Sequence, residues 1–176
     1  IGAMLMQEGK YIEADAAFRQ AEAILAPPLQ SNPGGLQPRA DNAHIAWRLG
    51  VTAKARSDLA AAVASLTRAV DLQLSIVRDQ ADNRTYQRDL VEYARDLAEA
   101  QAKAGDREGA AKNYRRSREA AAFVAGEEPS NPAAQRDLAL TLFQIARDLG
   151  GDGTWARAAA QYERAAALGP LPAKDQ

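Results

Sequence analysis

The sequence predicts an all-α chain, organised as an α-solenoid of repeated helix pairs. Three observations carry that prediction. Alanine, the best helix former, dominates a chain that is 47% apolar and only 6% aromatic, while valine and isoleucine are scarce. Aligned with itself at an offset of 48 residues, the sequence keeps several columns in register without a gap. One column runs Gly9, Ser57, Gly105, Gly153; others run Ala14, Ala62, Ala110, Ala158 and Phe18, Leu66, Tyr114, Tyr162. Ile1, Leu49, Leu97, Ile145 and Ile24, Leu72, Ala120, Leu168 follow the same step, and the tetrapeptide Gln-Arg-Asp-Leu recurs at Gln87 and Gln135. Within one unit, Leu90, Tyr93, Ala94, Leu97 and Ala98 fall at i, i+3, i+4, i+7, i+8, the spacing of one helical face.

A chain of 176 residues can bury one good core or stack a few such units. The units span about 1–30 (truncated), 38–80, 83–128 and 131–170. The first holds half of an opening helix and a second helix from Lys10 to Ala26, which "APPLQSNPGG" is expected to stop, forming the longest loop. The second runs from near Pro38 through Lys54, turns at Arg56-Ser57, and continues from Asp58 to about Asp79. In the third, Asn83 caps the start and Gly105 breaks the end. Its second helix starts near Asp106, with Ala110, Tyr114, Ala121 and Val124 inward. The fourth opens at Asn131-Pro132, turns in "LGGDGTW" with Thr154 as cap, and exits through "LGPLPAKDQ". Leu49, Leu97 and Ile145 are each preceded by residues of their own helix, whereas Ile1 is not. The chain is therefore expected to be the C-terminal piece of a longer protein.

These turns and second helices resemble the tetratricopeptide repeat (TPR) family over nearly the whole chain. "EGKYIEADAAFRQA" carries the Gly-x-Tyr-x-x-Ala-x-x-x-Phe-x-x-Ala pattern at Gly9, Tyr11, Ala14, Phe18 and Ala21. "LGVTAKARSDLAAAVASLTRA" adds Leu49, Gly50, Leu59, Ala62, Leu66 and Ala69. The 48-residue unit is longer than that family's usual repeat and is similar to the long-helix arrays of bacterial multidomain proteins. Arg107 and Arg118 occupy positions that are often apolar there. The resemblance implies a right-handed superhelix.

Several function classes lose support. With 22 Lys plus Arg against 23 Asp plus Glu, no global field points to nucleic acid. No apolar run is read as a membrane span, and no cysteine supplies a disulfide or thiolate ligand. His44 is the lone histidine, without a nucleophile motif or a zinc set around it. "GGDGT" is too short for a calcium loop, and no phosphate-cradling loop is present. No metal, cofactor or catalytic residue is expected. Arg88-Asp89 and Arg136-Asp137 read as side chains near helix starts, with Arg88–Glu92, Glu99–Lys103 and Glu108–Lys112 at ion-pair spacing. Lys112, Arg115 and Arg116 read as a solvated outer face open to a local anion contact.

The resemblance implies that first helices line a concave groove. In this register the groove residues are His44, Trp47, Arg48 and Lys54, then Arg95 and Glu99, then Phe143 and Arg147. Trp47 and Phe143 occupy equivalent places two units apart and are expected off the core stripe as exposed anchors beside arginines. The expected function is a non-catalytic protein-protein interaction module that binds a peptide or protein segment there. The alternative is a ligand-sensing or self-association region of a larger bacterial signalling enzyme. The partner would be protein or peptide, with no nucleic acid and no membrane insertion. The compartment stays open, with the cytoplasm favoured.

Overall fold

The 48-residue offset reappears in the helix boundaries. The computed structural model describes residues 1–150 and 153–169, and every regular element among them is an α-helix. They are α1 (Gly2–Gln7), α2 (Tyr11–Ser31), α3 (Leu36–Ala55), α4 (Leu59–Asp79), α5 (Arg84–Lys103), α6 (Arg107–Glu127), α7 (Pro132–Leu149) and α8 (Thr154–Ala167). Leu36, Arg84 and Pro132 begin α3, α5 and α7, and Tyr11, Leu59 and Arg107 begin α2, α4 and α6, each 48 residues after the last.

The turn column has a backbone reason. Gly9, Ser57, Gly105 and Gly153 all have positive φ, at 74°, 62°, 88° and 75°. Each reverses the chain in the left-handed backbone region that L side chains rarely adopt, so glycine fits three of the four places. Side chains then cap the next helix. Asp58 accepts from the Ala61 N–H at 3.0 Å and Asp106 from that of Gly109 at 2.8 Å. Asn83 and Asn131 accept from the N–H groups of Thr85 and Ala133, at 3.0 and 2.9 Å. Thr154, expected as a cap, is instead the first residue of α8; Gly153 holds the cap position with no side chain to offer. The middle of that turn, residues 151–152, and the expected exit beyond Gly169 lie outside the described residues.

A second correction concerns "APPLQSNPGG". The helix does not stop at Ala26: α2 continues through Pro27 and Pro28 to Ser31. Each proline removes one N–H from the helix ladder, yet the φ that proline prefers is helical. Packing of α2 against α3 carries the segment on. The Asn32 N–H closes on the Pro28 carbonyl at 3.1 Å, and Asn42 Nδ2 donates to the Leu25 carbonyl at 2.9 Å. The loop shrinks to residues 32–35.

The chain divides into two compact units, Ile1–Asp82 and Asn83–Gln176. In the first, α1 packs on α2, α2 on α3 and α3 on α4. Ala14, Phe18 and Leu49 centre one core cluster, flanked by Leu5, Met6 and Ile45. Helices α3 and α4 approach so closely at Gly50 that a Cβ there would stand 2.4 Å from Leu66 Cγ. By length and composition α4 is long and apolar enough to cross a membrane, which corrects the expectation that no such run exists. Its run of alanines interspersed with valine and leucine produces that result, and Ala62, Leu66, Ala69, Val70 and Ile76 are buried within the unit.

In the second unit α5 packs on α6, α6 on α7, α7 on α8, and α5 also on α7. Ala98, Ala110 and Tyr114 form its core cluster, with Ala102, Ile145 and Leu149 against it. Ala14, Ala62, Ala110 and Ala158 are all buried, so the alanine column is the place of closest helix approach. Two buried side chains find their partners across the register: Ser117 Oγ donates to the Val91 carbonyl at 2.8 Å, and Gln135 Nε2 to that of Ala125 at 2.8 Å. Arg107 donates to the Leu149 carbonyl at 3.0 Å, which caps the end of α7 and gives an arginine at an often apolar position a structural task. Columns fail only near the chain ends. Ile1, Ile24, Tyr162 and Leu168 are exposed, because no described helix covers them.

Candidate functional site

Four of the eight groove residues, His44, Trp47, Arg48 and Lys54, project from α3 of the first unit. Trp47 is only 8% exposed, so it belongs to the core and is not the open anchor the register implied. Buried Ala43, Ala46 and Gly50 on the same helix leave room for the large ring to turn inward. Arg48 covers that ring with its guanidinium carbon 4.5 Å from the centroid, and the His44 ring lies 5.4 Å away, tilted by 51°. Arg48 Nε donates to His44 Nε2 at 3.2 Å, which requires the imidazole to present a lone pair there. Partial desolvation, which penalises the charged imidazolium, lowers the His44 pKa from the ordinary imidazole value, and the Arg48 charge lowers it further against the opposing pull of Asp41. Lys54, near the end of α3, is half-buried.

The other four, Arg95, Glu99, Phe143 and Arg147, come from α5 and α7 of the second unit, which pack together. Here the structure builds a connected face. Glu99 pairs with Lys103 at 3.0 Å, as the spacing predicts, and with Arg147 at 3.5 Å. Arg147 Nη2 donates to Asp148 Oδ2 at 2.9 Å and its Nε to Oδ1 at 2.5 Å, and the Tyr114 hydroxyl donates to the same Oδ2. Burial pushes the Asp148 carboxyl up, but the bonds from Arg147 and Tyr114 outweigh it and hold its pKa below the ordinary value. Burial first, then the Asp148 bond, pushes the Tyr114 phenol well above its usual range. Arg95 lies 3.6 Å from Asp137, and its Nη1 is buried without a hydrogen bond, as is Gln144 Oε1 on α7. Phe143 is half-buried and meets the exposed Trp155 edge-on, with ring centroids 5.4 Å apart at 80°.

Sequence reasoning missed Asp137, Asp148 and Trp155. A signal for Asp148 existed: a tyrosine in a core column must place its hydroxyl on a partner. The repeated Arg-Asp pairs resolve differently from their spacing. Arg88 reaches Glu128 rather than Glu92, and Asp137 serves Arg95. Asp89 is half-buried, and burial raises its pKa. Arg116 donates to Asn113 at 2.8 Å, while Lys112 and Arg115 face solvent. Among the described residues, no group of three or more His, Cys, Asp or Glu is arranged to hold a metal ion. No protein-family model matches the chain, and no curated protein is significantly similar to it.

Proposed function

We propose that this chain is a TPR-like, non-catalytic interaction module whose α5–α7 face holds an extended peptide or protein segment. One observation carries the reading. On two packed helices the chain holds a buried donor without a hydrogen bond, Arg95 Nη1, which faces Asp137 in an ion pair at 3.6 Å, and a buried acceptor without one, Gln144 Oε1. A peptide backbone offers the complementary pair of groups, and unmade buried hydrogen bonds are costly to leave. Phe143 with Trp155 supplies an aromatic surface next to Arg147, the combination that anchors peptide segments. The first unit contributes less to this reading, because Trp47 is already covered by Arg48 and His44.

The test is selection from a random peptide library against the folded chain and against an Arg95→Gln/Phe143→Ala variant of unchanged helicity. The reading expects peptides sharing a motif to be enriched by the first and lost with the second. Enrichment that survives both substitutions would remove α5–α7 as the binding face.

A further inference from the structure

Helices α6 and α8 hold the same place in successive repeats, yet one stripe of residues differs between them. On α6, Arg107, Ala111, Tyr114 and Arg118 fall at i, i+4, i+7 and i+11, along one side of the helix. Helix α7 covers that side. Ile145 and Leu149 pack on the Ala110–Tyr114 cluster, Tyr114 is 1% exposed, and Arg107 donates to the Leu149 carbonyl. The residues in register on α8 are Trp155, Ala159, Tyr162 and Ala166. All four are exposed, Trp155 by 52% and Tyr162 by 37%.

The polarity of the two stripes is the reverse of what water would select. The covered stripe on α6 keeps two arginines. Its counterpart on α2, Tyr11, Asp15, Phe18 and Glu22, keeps two acids, which pair with Arg56 and Arg68. The uncovered stripe on α8 holds two aromatic rings, two alanines and no charge. Uncovered faces of repeats are normally polar, so an aromatic stripe on one marks a contact surface.

The seams within the chain say what fits there. In each unit this stripe receives a first helix that brings two branched apolar side chains, four residues apart, to the aromatic ring. Ile145 and Leu149 do so in the cluster of Tyr114, and Ile45 and Leu49 in that of Phe18. We propose that α8 docks an amphipathic α-helix of a partner protein, continuing the seam that α7 makes on α6. Its branched pair seats on Tyr162, and its uncharged side lies over Ala159 and Ala166, whose small side chains let the two helices approach. A partner that set a charge against this stripe would leave it desolvated and unpaired, which selects for an apolar contact. The proposal does not rest on the α5–α7 face. Trp155 borders both surfaces, but Ala159 and Tyr162 belong to this one.

The probe is a dye-labelled copy of the α7 sequence, residues 132–149, held helical by a hydrocarbon staple placed away from Ile145 and Leu149. Titrated with the full chain, its fluorescence anisotropy should rise to saturation. Ala159→Glu sets a charge in the stripe at an exposed helical position and should weaken binding about tenfold or more. Ala160→Glu, exposed but outside the stripe, should leave the affinity unchanged, as should Arg95→Gln on the α5–α7 face. A probe carrying Ile145→Asp and Leu149→Asp should not bind. Circular dichroism reports the helicity of each variant independently of binding. Absence of saturable binding, equal loss from Ala159→Glu and Ala160→Glu, or loss from Arg95→Gln alone would overturn the proposal. So would a dimer of the chain that buries the stripe and excludes the probe.

Discussion

Phe18 and Tyr114 hold the same place in the two units, and the difference between them is one hydroxyl group. Each sits beside the alanine of its column, Ala14 or Ala110, and against a branched residue of the neighbouring first helix, Leu49 or Ile145. In the first unit the ring ends the story. The residue in register with Asp148 is Thr52, which folds its hydroxyl back onto the Arg48 carbonyl at 2.8 Å. In the second unit the hydroxyl must be satisfied, and it recruits Asp148, which recruits Arg147, which reaches Glu99 and Lys103. One atom in a core column thus ties the interior to the surface charges of α5 and α7. In the first unit, Arg48 and His44 of α3 instead cover Trp47, and the register place of Arg147 is the uncharged Val51. Equivalent packing does not make equivalent surfaces.

The comparison can be broken most sharply at the shared column. Ala110 is fully buried, so Ala110→Leu should overpack the α5–α6 contact and cost about 1–3 kcal/mol, whereas Lys112→Leu on the outer face should be near neutral. Ala14→Leu should match Ala110→Leu, and chemical denaturation of the three variants checks all three values. A penalty at Lys112 equal to that at Ala110 would mean the register misplaces the core.

Exchanging the hydroxyl is the next largest effect. Tyr114→Phe should cost on the order of 1–2 kcal/mol at neutral pH, since it strips one donor from a charged acceptor. Asp148 has a lowered pKa, so the network stabilises the fold above the ordinary carboxylate range and is lost as pH falls through the lower folded value. The penalty of Tyr114→Phe should therefore shrink in strong acid. Phe18→Tyr, with no carboxylate in register to receive its hydroxyl, should destabilise rather than stabilise.

How much of this was legible depended on whether neighbours or backbone decided it. The turn column was readable because positive φ selects glycine wherever it recurs, and the caps because Asn and Asp have few other reasons to precede a helix. Pro27 and Pro28 misled because their local cost was set against a packing surface on α3 that no local pattern reports. Trp47 misled for a related reason. Its helical position is that of Arg95 and Phe143, yet the small residues Ala43, Ala46 and Gly50 on its own helix let it turn inward. Register puts Glu99 and Arg147 on helices that bring them within 3.5 Å of one another, but the partners Asp137 and Asp148 were not foreseen.

Smaller effects sharpen the same contrast. Ser57 is the one non-glycine in the turn column, at φ 62°. Ser57→Gly relieves about 1 kcal/mol of left-handed strain, offset in part by the freer unfolded chain, for a net gain of about 0.5 kcal/mol in denaturant unfolding. In the first unit, His44 has a lowered pKa, so its neutral form is the one that suits the fold. Stability from that stack is full above the ordinary imidazole pKa of about 6.5 and falls as the pH drops below it. Trp47 fluorescence in a Trp155→Phe chain should report the change, with a midpoint below about 6.5. A midpoint above that value would contradict the stacked, neutral imidazole.

The two tryptophans also give the most direct test of where the module binds, because one lies in each unit. A library-selected peptide would be titrated into Trp47→Phe and Trp155→Phe chains. Binding on the α5–α7 face should change the emission of Trp155, which packs edge-on against Phe143, and leave that of Trp47 constant. A saturable change in Trp47 emission with none in Trp155 would contradict the account.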